Sequence, residues 1–494
     1  MSLSGKSLGT QEELALVRRV LASMGGCEAK VPGIGERCTK ERSVAVGWPL
    51  DLRGTSDSVD ELNMGALGGP VEDLDSSIEL GVLASQEALS IGVGAGKAPS
   101  SGITSLTNFS PLFLLLFLCA RSSAAGNYNV LTFGAKPGAG DAAGAFLKAW
   151  SAACSSSSAS TIYVPTGNFL VSQARFDGPC RSPSIKFSID GTLVAPSEYT
   201  GSSGASGHWI AFSNVDGVSI SGGRLDGRGA LLWACKSAGR SCPAGASSLT
   251  FTSSKNIAVD GLTSIDSKLF HIVILQCQNV RLRNVNIHAS GSSPNTDGIH
   301  VQMSTDVDVV RANIRTGDDC ISVGPGSAHL WIERVSCGPG HGISIGSLGR
   351  GQGLHEESVR NVTVKTVQFS GTQNGVRIKT WGSNIPGHVR QVVFQDVLMR
   401  NVKNPIIIDQ NYCPENRGCP GHNSAIKIDQ VQYLNIRGTS ATPVAVKFDC
   451  SRRNPCSGIR LQGIKLSYQS RQAQSSCKFA NGVASGLIAP PSCL

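Results

Sequence analysis

The sequence predicts an all-β protein that folds as a right-handed parallel β-helix, a solenoid in which the chain winds through stacked coils of short strands. From residue 128 onward, short apolar alternations are separated by Gly, Asn, Asp and Ser, which is typical of many short strands. These strands recur at a regular interval, which indicates a solenoid. The 58 glycines and the 5% of aromatic residues favour small side chains and many turns over bulky helical packing.

The repeat is clearest where four consecutive strands begin at Asn256, Asn279, Asp306 and His329, at spacings of 23, 27 and 23 residues. Later strands at 358–364, 389–394 and 425–428 continue the pattern with longer insertions. A strand-rich unit of this length without a helix does not fit a propeller blade or a leucine-rich repeat. Stacked coils about 4.8 Å apart, with Val, Ile and Leu pointing inward, fit it best. We therefore expect one β-helix domain over residues 127–494, with a helix near 141–154.

The first quarter of the chain has a different character. Residues 1–100 show no sustained pattern beyond one amphipathic helix at 11–24, and we expect them to be disordered or a gene-model extension. Residues 101–126 resemble a signal peptide, because the apolar run 111–120 precedes small residues. The preferred interpretation places the true start of the chain near residue 101. An uncleaved anchor and a buried strand remain alternatives, although the run is short for a bilayer span.

Cysteine usage indicates an oxidising compartment. Thirteen of the 16 cysteines follow residue 125, and no C-x-x-C pair suggests zinc. Close neighbours give six candidate disulfides and leave Cys277 as a buried thiol. The candidate pairs are Cys154/Cys180, Cys235/Cys242, Cys320/Cys337, Cys413/Cys419, Cys450/Cys456 and Cys477/Cys493. Asn361-Val-Thr363 is a glycosylation acceptor in the same region.

The charge is unevenly distributed. The net charge is +9, and residues 126–494 carry 34 Lys and Arg against 21 Asp and Glu. This excess attracts polyanions, which leaves nucleic acid, an anionic membrane and an acidic polysaccharide open. The composition excludes a disordered or collagen-like chain.

Polar clusters interrupt the strands at the spacing of the coils. Asp319 follows Asp297 by 22 residues, and His341 follows Asp319 by 22. If one coil has about 22 residues, these side chains stack at one angular position. Asp318 and Asp319 are adjacent and would point to opposite faces of a regular strand, so a bend at Gly317 is needed. Each cluster alone is most often an ordinary turn, and their common register is what predicts a site.

This arrangement suits the hydrolysis of a glycosidic bond. Three converging carboxylates resist simultaneous ionisation, which raises the pKa of at least one and lets it act as a general acid. The other two can polarise a water as the leaving oxygen is protonated. Arg377 and Lys379 alternate on one strand and would present two cations to a carboxylated sugar.

Four motifs in order resemble the polygalacturonase family of glycoside hydrolases, and the chain looks like a secreted plant member. They are Asn295-Thr-Asp-Gly298, Gly317-Asp-Asp319, Gly340-His-Gly342 and Arg377-Ile-Lys379, and the resemblance extends from about residue 128 to 494. It implies a right-handed parallel β-helix, no metal or other cofactor, and inversion at the anomeric carbon.

The resemblance also implies a role for each site residue. Asp318 is the implied proton donor, Asp297 and Asp319 activate the water, and His341 tunes the acid. The implied substrate-binding residues are Arg377, Lys379, Tyr412 and, as a supporting contact, Asn295. Tyr412 also has a simpler interpretation as packing beside Cys413.

We therefore expect a secreted, extracellular enzyme of the plant cell wall that hydrolyses α-1,4-galacturonosyl linkages of pectin. Its partner would be the acidic polysaccharide, with no nucleic acid, no stable membrane insertion and a monomeric state. Alternatives are a hydrolase of rhamnogalacturonan or decorated galacturonan, a calcium-dependent pectate lyase, and an inactive pectin-binding wall protein. The sequence leaves endo and exo action open.

Two further motifs match other enzyme classes only superficially. Gly342-Ile-Ser-Ile-Gly346 satisfies G-x-S-x-G, but no helical pattern follows it, as a nucleophile elbow requires. Residues 92–97 suggest a phosphate-binding loop but lack the residues that should flank them.

Overall fold

A computed structural model describes residues 126–197, 207–351, 356–414, 418–421 and 423–494 of the chain. The described elements are two α-helices, a short 3-10 helix at Val130–Phe133 and 28 strands. The helices are α1 (Ala143–Ser155) and α2 (Ala230–Ser237).

The strands are, in chain order, β1 (Gly126–Asn129), β2 (Ser160–Val164), β3 (Asn168–Leu170), β4 (Ala174–Asp177), β5 (Ile185–Val194), β6 (His208–Ser213), β7 (Val218–Asp226), β8 (Ser247–Thr252), β9 (Lys255–Asp260), β10 (Thr263–Ile265), β11 (Ile272–Leu275), β12 (Gln278–Arg283), β13 (Asn286–His288), β14 (Ile299–Gln302), β15 (Thr305–Arg315), β16 (Ile321–Val323), β17 (Ser327–Cys337), β18 (Ile343–Leu348), β19 (Val359–Ser370), β20 (Asn374–Trp381), β21 (Gly387–Val402), β22 (Asn404–Tyr412), β23 (Ile426–Ser440), β24 (Val444–Asp449), β25 (Cys456–Tyr468), β26 (Arg471–Gln472), β27 (Gln474–Lys478) and β28 (Ala480–Ala489).

The chain passes alternately through two large sheets. Eleven strands, β4, β6, β8, β11, β14, β16, β18, β20, β22, β24 and β27, pair in chain order, and the other seventeen form the second sheet. Within the described part of the chain, the pairing of β25 with β26 is antiparallel and the other strand pairings are parallel. Each strand thus lies beside its counterpart in the next coil. The predicted right-handed parallel β-helix is confirmed.

The predicted repeat coincides with the coils. β9, β12, β15 and β17 pair successively, which places Asn256, Asn279, Asp306 and His329 at equivalent positions. All four have left-handed backbones, with φ between 55° and 59°. Asn and Asp adopt this conformation more readily than most residues, so the repeated polar residue bends each coil at the same place. The Nδ2 of Asn279 donates to the Oδ1 of Asn256 at 2.6 Å, which links two bends.

The core is a set of stacked apolar columns closed at one end by α1. Ile299, Ile321 and Ile343 pair in consecutive coils and are at most 1% exposed. Trp150 of α1 packs against an aromatic group within the first coils, namely Phe176, Phe187 and Phe212. The predicted helix near 141–154 is present. The side chain of Asp141 accepts from the Ala143 backbone N–H at 3.0 Å, at the start of α1.

All six candidate disulfides are formed, each between cysteines close in sequence or on adjacent coils. The Cys320–Cys337 disulfide, which follows directly after Asp319, is deeply buried, with both residues at most 1% exposed. Cys277 is a buried free thiol, as expected. Burial raises the pKa of Cys277 to about 11, so this thiol is inert at neutral pH.

Several expectations concern residues 1–125, which lie outside the described residues. They are the helix at 11–24, the phosphate-loop match at 92–97 and the signal-like segment that begins at 101. In the described part of the chain, no helix combines the length and apolar character needed to cross a membrane.

Candidate active site

Consecutive coils of the eleven-stranded sheet bring the predicted polar residues together. Ile299 pairs with Ile321, and Ile321 pairs with Ile343. Asp297, Asp319 and His341 each lie two residues before one of these isoleucines. The 22-residue spacing therefore places the three polar residues one above another where strands β14, β16 and β18 begin.

Asp318 joins this group because the chain turns before β16. Gly317 lies against the preceding coil, and a Cβ at this position would come within 2.2 Å of the Ser293 carbonyl oxygen. The backbone N–H of Gly317 donates to Thr296 Oγ1 at 3.0 Å. Asp318 and Asp319 are therefore in a turn and not in a regular strand, and both carboxylates reach the same place. Oxygen atoms of Asp297, Asp318 and Asp319 all lie within 4.8 Å of one another.

Asp319 is held by two buried cations. Its Oδ1 accepts from Arg377 Nη2 at 2.7 Å, and its Oδ2 accepts from Lys379 Nζ at 2.8 Å. Arg377 and Lys379 alternate along β20 and face the same way, as their spacing predicts. The side chain of Asp319 is only 1% exposed. With a cation at each oxygen, Asp319 is a fixed negative charge at the base of the site.

Asp297 has a different environment. Burial, together with the charges of Asp318 and Asp319, raises the pKa of Asp297 well above its ordinary value. A hydrogen bond from Ser322 Oγ to Asp297 Oδ2, 2.6 Å long, acts in the opposite direction. Asp297 therefore retains a proton more strongly than an ordinary aspartate does.

Asp318 is the carboxylate most open to solvent, with 18% of its side chain exposed. Its Oδ1 lies 2.9 Å from His341 Nδ1, and its Oδ2 accepts from the Asn295 backbone N–H at 3.0 Å. Burial raises the pKa of Asp318, but the hydrogen bond and charge of His341 outweigh this and lower the pKa to about 2. The raised pKa thus belongs to Asp297 and not to the proton donor implied by the resemblance. The reason is that His341 faces Asp318 alone.

Tyr412 and Asn295 border the group in different ways. Lys379 Nζ lies 5.3 Å from the centre of the Tyr412 ring, and this ring packs edge-on against Trp381 at 5.4 Å. The Arg350 guanidinium lies 5.3 Å from the Trp381 ring. Two cations and two rings therefore form one row beside the carboxylates. Asn295 is exposed and contacts Asp318 through its backbone, so its side chain is available to a ligand.

Two serines that were not among the predicted site residues are part of the site. Ser344 Oγ donates to Asp319 Oδ1 at 2.7 Å and accepts from Arg377 Nε at 2.8 Å. Ser322 holds the same position one coil earlier, because it pairs directly with Ser344. The available signal was the 22-residue interval, which relates Ser322 to Ser344 as it relates Asp297 to Asp319.

The G-x-S-x-G match does not form a nucleophile elbow. Ser344 lies within β18, the strand continues to Leu348, and the hydroxyl is bonded to Asp319 and Arg377. An elbow requires a sharp strand-to-helix turn with an exposed hydroxyl. The esterase interpretation therefore has no structural support.

The carboxylate group also has the spacing of a possible metal site. Among the described residues, Asp297, Asp318 and Asp319 are the one group of acidic, His or Cys side chains close enough to share an ion. Both oxygens of Asp319 already bind cationic side chains. A metal ion would have to compete with Lys379 and Arg377, so the residues fit an internal cation pair better than a metal.

Comparison with known proteins agrees with this geometry. The sequence profile of glycosyl hydrolases family 28 matches residues 154–487. A polygalacturonase of Prunus persica is 54% identical over 392 residues, covering 79% of this chain and 99% of its own length. An exopolygalacturonase of Platanus acerifolia is 44% identical over 368 residues, covering 74% and 96%.

Solved structures share the architecture. The endo-xylogalacturonan hydrolase of Aspergillus tubingensis superposes with a TM-score of 0.62 at 22% identity, covering 73% of this chain and all of that one. The polygalacturonase of Erwinia carotovora ssp. carotovora gives a TM-score of 0.54 at 22% identity, covering 73% and 97%. At this identity the likeness shows the fold. Together with the profile match and the plant relatives, it leads to one conclusion: the chain is a glycoside hydrolase that belongs to glycosyl hydrolases family 28.

Proposed function

We propose that this enzyme hydrolyses α-1,4-galacturonosyl linkages of homogalacturonan, the acidic backbone of pectin. The observation that carries the proposal is the group of three carboxylates within 4.8 Å, flanked by two buried cations on β20. The names of the plant relatives support the choice of substrate.

The cationic side of the site suits a carboxylated sugar. Arg377 and Lys379 are 10% and 9% exposed at the side chain, so each retains a small accessible surface beside Asp319. The ring of Tyr412 packs next to Lys379 and offers an apolar face to a sugar. A galacturonate carboxylate would share these cations with Asp319, supported by the exposed amide of Asn295.

Asp318 is the proposed proton donor because it is the most exposed of the three carboxyl groups. Asp318 and His341 share a hydrogen bond that can hold one proton between them. A bound galacturonate places a negative charge nearby and excludes water, and both effects raise the pKa of Asp318. With His341 as the imidazolium, its Nδ1 proton then moves to Asp318, which leaves a neutral imidazole, and passes on to the leaving glycosidic oxygen as the bond breaks.

Asp297 and Asp319 are the proposed residues that position and activate the water. Asp319 orients the water as a fixed anion, and Asp297 accepts the proton that the water loses. The closest carboxylate oxygens lie within 4.8 Å of one another, and short separations between carboxyl groups are typical of retaining enzymes. Retention through a covalent intermediate is therefore the alternative to inversion.

The hydrogen bonds of Asp319 oppose a covalent intermediate. Asp319 accepts from Ser344, Arg377 and Lys379, which disperses its charge and makes it a weak nucleophile. The raised pKa of Asp297 suits it to take up the proton of the attacking water, so it acts as a base and not as the nucleophile. We therefore assign direct attack by water, with inversion at the anomeric carbon.

The alternatives differ in product. A pectate lyase would use calcium and leave an unsaturated sugar, and the cation pair on Asp319 already occupies the carboxylate that a metal would need. An inactive wall protein would bind pectin without cleaving it. A hydrolase of rhamnogalacturonan or decorated galacturonan would release reducing ends from those polymers and not from polygalacturonate.

The proposed setting is the plant cell wall. The six disulfides favour an oxidising compartment, and secretion through the segment at 101–126 would provide it. We assign catalysis to residues 127–494, acting as a monomer. Residues 1–100 have no role in this proposal.

The test is to incubate the purified enzyme with polygalacturonate and measure reducing ends, ultraviolet absorbance and product length. We expect reducing ends to appear without the absorbance of unsaturated products. A ladder of oligomers would indicate endo action, and monomer alone would indicate exo action. Cleavage of rhamnogalacturonan but not polygalacturonate, or formation of unsaturated ends, would reject the proposal.

A further inference from the structure

His300 stands beside the carboxylates without a role in the mechanism above. It lies on β14, three residues after Asp297, and pairs with Ser322 in the next coil. Its Nδ1 is 2.8 Å from Ser322 Oγ, and its Nε2 is 3.1 Å from Gln302 Oε1. Since Ser322 is also bonded to Asp297, an unbroken chain of contacts connects Gln302, His300, Ser322 and Asp297.

The serine hydroxyl has one hydrogen and two neighbours that can accept it. When Ser322 donates to Asp297 Oδ2, His300 Nδ1 must carry a hydrogen and donate to Ser322 Oγ. When His300 Nδ1 is unprotonated, Ser322 donates to it, and Asp297 must carry its own proton and donate to Ser322 Oγ. Each arrangement satisfies every polar atom of the chain, and they differ in where one proton resides.

In the neighbouring coil, the equivalent serine, Ser344, has a hydroxyl whose hydrogen bond has a fixed direction. Ser344 bridges Asp319 and Arg377 as Ser322 bridges Asp297 and His300. Arg377 Nε can only donate, so the Ser344 hydroxyl always points to Asp319. His300 can either donate or accept, so the Ser322 hydroxyl is free to reverse. His300 lies one coil before Ser322, whereas Arg377 lies one coil after Ser344, so the two serines differ in the position and the chemistry of their second partner.

We propose that the Ser322 hydroxyl is a reversible hydrogen bond that links the ionisation of Asp297 to the protonation of His300 Nδ1, which makes His300 a positioning residue for the water-activating carboxylate. In the coupled step, the Asp297 carboxyl proton passes to Ser322 Oγ as the serine proton passes to His300 Nδ1. Net charge is conserved, since a neutral acid and a neutral imidazole become a carboxylate and an imidazolium. The assignment of Asp297 to water activation rests on the proposed function, and the proton linkage itself does not.

The surroundings define what else acts on this chain. Asp318, Asp319 and Lys379 face Asp297, and their charges act on its ionisation. Lys379 and Asp319 also face His300, with opposite effects, and the Phe270 ring packs 5.1 Å from the imidazole. Gln302 completes the chain from the same strand and is buried. Burial lowers the pKa of His300 and raises the pKa of Asp297, so burial acts in favour of the neutral ring and the protonated acid.

The direct test follows the His300 ring nitrogens by NMR in the intact protein labelled with 15N-histidine, without substrate. We expect the Nδ1 signal to change as Asp297 titrates, and we expect Asp297→Asn to abolish that step. Ser322→Ala should uncouple the two groups, and Ser344→Ala should leave the His300 titration in place. A His300 signal that does not respond in wild type, or that is identical in Asp297→Asn, would overturn the proposal.

A kinetic test uses the acid limb of the kcat/KM profile on polygalacturonate, where activity is lost as Asp297 becomes protonated. Ser322→Ala removes a donor to ionised Asp297 and should move this limb to higher pH. His300→Phe removes the competing acceptor, leaves Ser322 to donate to Asp297 alone, and should move the limb to lower pH. If the acid limb of the profile moves in Ser322→Ala but not in His300→Phe, then His300 is not coupled to the ionisation of Asp297.

The two tests separate failure of this inference from failure of the proposed function. If the NMR linkage is observed but polygalacturonate is not cleaved, the proton linkage is supported and the proposed substrate is wrong. If polygalacturonate is cleaved but the NMR linkage is absent, the proposed function is supported and the proton linkage is wrong. Thermal unfolding of each variant checks that it is folded.

Discussion

Asp318 combines solvent exposure, a histidine partner and contact with the other two carboxylates, which places it at the centre of the proposed reaction. Its exposure lets it reach a glycosidic oxygen, while Asp297 and Asp319 lie deeper. His341 Nδ1 lies 2.9 Å from Asp318 Oδ1, which is hydrogen-bonding distance. In the proposed mechanism, the pair that delivers the proton is thus separate from the buried pair that positions and activates the water.

We expect Asp318→Asn to lower kcat by about 10²–10⁴-fold, the usual contribution of general acid catalysis, with the fold intact. The amide can still accept a hydrogen bond but cannot deliver the proton. The measurement is initial rate at saturating polygalacturonate, with circular dichroism as the check on folding. Asp308→Asn is the matched control, because Asp308 is 42% exposed and faces Arg281. Normal turnover in Asp318→Asn would reject its role.

The positions of the polar residues were predictable and their protonation was not. The 22-residue interval predicted that Asp297, Asp319 and His341 would stack on successive coils. It could not show that His341 contacts Asp318 alone, because this depends on the turn at Gly317. For that reason the raised pKa, which the sequence led us to expect among the three carboxyls, falls on Asp297.

The strands of the β-helix depend on single left-handed residues that bend each coil. β15 runs for 11 residues and contains two of them, Asp306 and Arg311. The strands predicted at 389–394 and 425–428 cover only the first parts of β21 (Gly387–Val402) and β23 (Ile426–Ser440). The hydrogen bonds continue across the bend, so the observed strands are longer than the predicted ones. The alternation of apolar residues does not show whether the strand hydrogen bonds continue across a bend.

Asn279→Val should destabilise the protein by roughly 2–3 kcal/mol. A left-handed backbone costs a residue with a Cβ about 1–2 kcal/mol, and the hydrogen bond to Asn256 contributes about 1 more. Asn279→Gly is the matched control, since it loses the hydrogen bond but adopts positive φ freely. Chemical denaturation of the two variants measures the difference. Equal stabilities for Val and Gly would show that the bend imposes no conformational demand.

At the scale of the whole molecule, the β-helix carries an excess of positive charge. Residues 126–494 have 34 Lys and Arg against 21 Asp and Glu, and the substrate proposed here is a polyanion. Long-range attraction of this kind is screened over about 8–10 Å at physiological salt.

Raising the ionic strength should therefore increase KM for polygalacturonate and leave kcat at saturating substrate almost unchanged. Steady-state kinetics at several salt concentrations measure both parameters. A galacturonate trimer provides the control, since it engages only the site and should show the weaker dependence. An unchanged KM for the polymer would indicate that surface charge does not assist binding.

The architecture of the whole molecule was the most predictable feature. Strand recurrence, the absence of helical periodicity and the spacing of polar clusters each indicated stacked coils, and the two parallel sheets confirm them. The sequence also predicted that the three carboxylates converge, but it did not give the distances between them. These distances depend on how tightly adjacent coils approach and on the turn that carries Asp318.

The anomeric configuration of the first product tests the mechanism most directly. Proton NMR of polygalacturonate, recorded immediately after enzyme is added, reports the new reducing end before mutarotation. Direct attack by water on an α-linkage predicts that the β-anomer appears first and the α-anomer follows slowly. If the α-anomer appears first, then a carboxylate acts as nucleophile, and the account of Asp319 as a fixed, hydrogen-bonded anion is wrong.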